Sequence, residues 1–69
     1  MTEHTAREVV RLLKNSGYHE DRIAGDHHIF INQSGGMIPV PYTRLKDRIS
    51  ISTYKLILRE LKEQNQSKS

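Results

Sequence analysis

The chain contains no cysteine, so neither a disulfide nor a thiolate metal site can staple its fold. Stability must come from packing and, as an expectation, from a bound partner protein. No apolar run approaches the roughly 20 residues that a membrane-spanning helix needs. The opening Met1-Thr2-Glu3-His4 lacks the basic-then-apolar order of a signal peptide. Absence of cysteine fits a reducing compartment, and the expectation is a cytoplasmic protein. Several enzyme signatures are missing as well. Gly35-Gly36 is not followed by the Lys-Ser/Thr of a phosphate-cradling loop. No serine stands in a nucleophile-elbow pattern, and no paired carboxylates are evident at useful spacing.

What remains is small and modestly basic. Sixty-nine residues hold one domain, with 35% hydrophobic residues supporting a single thin core. The net charge is +3 and the isoelectric point about 9.5. That excess is compatible with a polyanionic partner, although an ordinary soluble surface explains it nearly as well.

Thr5 and Glu8 stand at capping-box spacing, and Ala6, Val9, Val10 and Leu13 follow at helical spacing. Leu12 widens that stripe, while Arg7, Arg11 and Lys14 fall mostly on the other side. A first helix is expected over residues 5–16, closed at Gly17. Residues 18–24 are a weak strand candidate, because His19 to Arg22 is a polar run. Gly25-Asp26 signals a turn, and residues 27–33 form a stronger strand. The β-branched Ile29 and Ile31 suggest the core face. On that parity His27 points inward or to the rim, and His28 shares the opposite face with Phe30. Ser34-Gly35-Gly36 is a hairpin loop, returning as a third strand over residues 37–40. Pro39 lacks an N–H, which confines that strand to a sheet edge or to an unpaired position. Residues 42–51 look like a loop of mixed charge. Ser50 or Ser52 caps a second helix with Tyr54, Ile57, Leu58 and Leu61 on its stripe.

The expected fold class is therefore α+β, of order α-β-β-β-α, with a three-stranded antiparallel sheet and both helices on one face. One domain is expected over residues 1–63, followed by a polar tail over 64–69.

The densest polar cluster is Gly25-Asp26-His27-His28, with His19 shortly before it. Two adjacent histidines near a turn are, without context, more often plain surface residues than anything else. A metal site is disfavoured, since neighbouring strand residues point to opposite faces and no known ligand spacing is present. Acid–base chemistry is the third option: imidazole exchanges protons near neutral pH, and RNA supplies its own nucleophile in the 2′-hydroxyl. Arg44, Lys46 and Arg48 form a basic loop that suits phosphate contacts, or equally a solvated loop holding Asp47.

Taken in order, Asn15-Ser16-Gly17-Tyr18, Gly25-Asp26-His27-His28-Ile29-Phe30, Ile38-Pro39-Val40-Pro41, Leu45-Lys46 and Ser52-Thr53-Tyr54-Lys55-Leu56-Ile57-Leu58 resemble the HicA toxin family over nearly the whole chain. Each motif is short; their order and spacing carry the likeness. The resemblance implies a fold like that of double-stranded-RNA-binding domains and a metal-independent mRNA endoribonuclease without cofactor. It also implies a HicB-type antitoxin as partner. The family's essential histidine maps to His27, and in some members to the next position, His28. Arg44, Lys46, Arg48 and Lys55 are the expected RNA-binding residues. Three departures stand out. Asp26 replaces the usual serine and sets a negative charge beside the histidine. Tyr42 stands where many members carry Arg-His after the proline, so a second family histidine is missing. Ser52 stands where glycine is common, at the helix cap.

Overall fold

Thr5 makes both halves of a capping box: its side chain accepts from the Glu8 N–H, and its own N–H donates to the Glu8 carboxylate. Such a cap contributes about 1 kcal/mol and fixes where the helix starts. The computed structural model describes residues 4–66. In chain order it contains β1 (His4–Thr5), α1 (Ala6–Asn15), β2 (His19–Ala24), β3 (His27–Ile31), β4 (Met37–Pro41), β5 (Arg48–Ile49) and α2 (Ile51–Gln66). The main sheet is antiparallel in the order β2-β3-β4. The α-β-β-β-α order expected from the sequence is the order observed.

β4 lies at a sheet edge, where the missing N–H of Pro39 is tolerated. The loop before it is organised by Asn32, whose side-chain carbonyl accepts from the N–H groups of Ser34 and Gly36 at 3.0 and 2.6 Å. Gly35 takes φ +90° there, a conformation that favours glycine.

The core forms on one face of the sheet. Phe30, Ile38 and Val40 from β3 and β4 meet Ala6, Val9 and Leu13 from α1, and Ile57 and Leu61 from α2. Both helices thus cover the same face. This corrects the parity read from β3. Phe30 is fully buried in the cluster, opposite Ile38, and His28 is opposite Val40 on the same side. Ile29 and Ile31 face outward with Pro39 and Met37, and His27 goes with them, opposite Pro41. The physical reason lies in β4: Ile38 and Val40 alternate with Pro39 and Pro41, and the partner strand decides which side of β3 is covered. Ile29 is buried but stands outside the main cluster.

Three further features differ from expectation. Residues 42–51 are not all loop, because β5 pairs with β1 as a two-residue antiparallel ribbon and buries Ile49. Leu58 is 36% exposed and falls off the stripe of α2, whose inward residues are Tyr54, Ile57 and Leu61. The helix also runs past 63. Gln64, assigned to the tail by its polarity, accepts from the Tyr18 hydroxyl and donates to the Met37 carbonyl at 3.1 Å. Of the two candidate caps, Ser50 performs the task, accepting from the Thr53 N–H at 3.3 Å.

Candidate functional site

The turn between β2 and β3 is tight because Gly25 adopts φ +66°. It delivers Asp26 and both histidines to one end of the sheet. Successive strand residues point to opposite faces, so the histidines part company at once.

His27 lies on the outer face, with half of its side chain exposed. Its Nδ1 stands 3.2 Å from the Asp26 carboxylate. The same Asp26 accepts, through its main-chain carbonyl, the Tyr42 N–H at 3.0 Å. One residue therefore anchors the turn to the end of β4 and sets a carboxylate beside the imidazole. With the carboxylate on the Nδ1 side, Nε2 is the ring nitrogen farther from it.

His28 faces the helices. Its ring lies flat on that of Tyr42, with centroids 3.7 Å apart and planes within 8°. Only 13% of its side chain is exposed. The bulge at Asp21 leaves Glu20 opposite Phe30 on the inner side, and the Glu20 carboxylate comes to 3.5 Å from His28 Nδ1. That separation and alignment make no hydrogen bond, and Nδ1 is buried without a partner. A bare lone pair there would face a carboxylate, so the neutral ring is better placed with its proton on Nδ1. Burial, and next the Glu20 charge, push the Tyr42 phenol above its ordinary value.

Beyond Tyr42 the chain turns back on α1. The Ala6 and Arg7 N–H groups donate to the carbonyls of Asp47 and Leu45 at 2.8 and 2.9 Å. The loop so satisfies donors that a helix start leaves free. Inside it, the Asp47 carboxylate accepts from the N–H groups of Arg44 and Thr43, which hold its carboxyl below the usual carboxylate range. Asp47 is thus the clamp of the loop, leaving the Arg44 and Lys46 side chains exposed.

The structure does not gather every expected residue. Arg44 and Lys46 follow directly on the His28–Tyr42 stack. Arg48 belongs to the β1–β5 ribbon, opposite Thr5, and Lys55 lies on the exposed side of α2. His19 pairs with Ile31, at the far end of the sheet from His27. Among the described residues, no group of three or more histidine, aspartate or glutamate side chains converges as a metal ion would require. A second histidine stack went unnoticed in the sequence: His4 lies on Tyr54 at 3.8 Å, with its Nδ1 3.3 Å from Glu8. Nothing in local sequence joins positions 4 and 54. The row Arg7, Arg11 and Lys14 on α1 was visible as the polar side of a helix, yet it borders a groove that only the folded loop creates.

A basic α+β domain with both helices on one side of a three-stranded sheet is of the class typified by double-stranded-RNA-binding domains. Within that class, the family model for the HicA toxin of bacterial toxin–antitoxin systems matches residues 6–62, and the chain belongs to that family. Membership implies an antitoxin as partner. No curated protein and no solved structure matches the chain. Among the described residues, no helix is long and apolar enough to cross a membrane.

Proposed function

We propose that the chain is an mRNA endoribonuclease toxin acting in the cytoplasm, neutralised by a HicB-type antitoxin, with His27 as its proton-transfer group. The observation that carries this reading is the setting of His27: an accessible imidazole on an open sheet face, with the Asp26 carboxylate 3.2 Å from its Nδ1. The reaction needs no cofactor. His27 removes the proton of a 2′-hydroxyl, the 2′-oxygen forms a bond to the adjacent phosphorus, and the bond from phosphorus to the 5′-oxygen breaks. The leaving oxygen takes a proton from water. The products are a 2′,3′-cyclic phosphate and a 5′-hydroxyl. Arg44 and Lys46 hold phosphates beside the stack, and Arg48 and Lys55 extend the positive surface.

The test uses antitoxin-free protein, single-stranded RNA and EDTA. Cleavage undiminished by EDTA, with cyclic-phosphate ends, is expected; the His27→Ala/His28→Ala double variant should be inactive. A double variant that cuts as fast as the native chain removes the assignment of the site. Salt-dependent binding without product would make the protein an RNA-binding module, and failure to bind RNA at all would leave a protein-interaction domain.

A further inference from the structure

We propose that the groove between α1 and the loop around Leu45 is a second RNA-backbone site, holding the strand on Arg7, Arg11 and Lys14. The proposal rests on the ribonuclease reading above and adds residues that this reading does not use. The groove has a volume of about 370 Å³ and is lined by Arg7, Val10, Arg11, Lys14, Asn15 and Leu45.

Four observations converge on this assignment. The three cations repeat at intervals of four and three residues, so they share one face of α1; Arg7 and Arg11 are separated by a rise of about 6 Å. That spacing is comparable with the separation of successive phosphates along a strand. Among the described residues none of the three forms a salt bridge, whereas Arg22 and Arg59 are paired with Asp21 and Glu63. No carboxylate lines the groove. Its floor is aliphatic and accessible, with Leu45 43% exposed beside Val10, and it contains no aromatic ring on which a base would stack. Cations over an aliphatic floor fit phosphate and ribose and read no base, so the grip is independent of sequence.

The groove is also continuous with the loop at the candidate active site. Leu45 is fixed by the Arg7 N–H, and Arg44 lies one residue nearer Tyr42 and the strand that pairs with His27. A strand held on α1 would therefore lead past Arg44 toward the histidine end of the sheet.

The test measures binding of a fluorescent single-stranded RNA by anisotropy over a range of salt, in the His27→Ala background so that the RNA survives. Arg7→Gln/Arg11→Gln/Lys14→Gln should lower the slope of log K against log salt by about 2, at about 0.7 per lost phosphate contact. Arg59→Gln/Lys62→Gln, on α2, should leave the slope unchanged. If the triple variant melts early, Arg11→Gln alone should lower the slope by about 0.7. An unchanged slope in both variants overturns the site. Unchanged RNA binding with weakened antitoxin binding also overturns it, and marks the groove as a protein-docking surface. If the native chain binds RNA, fails to cut it, and still loses slope in the triple variant, the ribonuclease reading falls while the groove stands.

Discussion

His27 and His28 are neighbours in the chain and opposites in setting. One is half exposed, on the uncovered face of the sheet, beside a carboxylate one residue away. The other is largely enclosed, stacked on Tyr42 and directed toward Glu20. The period-two geometry of a strand is sufficient to separate them. A histidine pair on a strand is therefore two sites, and the side each ring occupies is set by the partner strand. Here His28 packs on Tyr42, and His27 is the ring that the proposed function uses.

The largest expected effect sharpens the contrast between the two faces. Phe30→Ala should cost about 3–5 kcal/mol, since it empties the middle of the covered face. Met37→Ala, on the open face, should stay within about 1 kcal/mol. Urea melts measure both, and equal losses would contradict the assigned faces. A middle-sized effect separates the histidines. His28→Ala removes a stacked ring and should cost about 1–2 kcal/mol, whereas His27→Ala should change stability by less than about 0.5 kcal/mol.

The smallest effect is alkaline. The Tyr42 phenol is raised above 10.0 by burial and by Glu20, so the folded state favours its protonated form. That contribution is fully present below 10.0 and is lost as pH rises through the higher folded value. Stability should fall in that window, and Tyr42→Phe should make the fall shallower. Burial also raises the Tyr18 phenol, so part of the alkaline loss should persist in the variant.

Most of the architecture was legible in local signals. The Thr5–Glu8 cap, the α1 stripe, the Gly25 turn and the Pro39 edge strand are each written within a few residues. What escaped was non-local. The β1–β5 ribbon joins positions more than forty residues apart and spans two residues on each side, too short for any period to show. The inward face of β3 could have been read from Ile38 and Val40, whose alternation with prolines is clearer than the run of isoleucines around Phe30. Gln64 looked like tail because its partners, Tyr18 and Met37, come from the other end of the sequence and from the sheet edge. At the candidate site, the sequence offered both histidines and the basic loop but no means of choosing between the rings. It also hid the stack on Tyr42.

Comparing His27→Ala with His28→Phe in one RNA cleavage assay, both folded at the working temperature, separates the roles of the two rings. Phenylalanine keeps an aromatic ring on Tyr42 but cannot transfer a proton. His27→Ala should lose roughly 100-fold or more in rate, while His28→Phe should stay within a few-fold of the native chain. The reverse outcome, an inactive His28→Phe and an active His27→Ala, would move the chemistry to the enclosed ring and contradict the division of labour between the two faces.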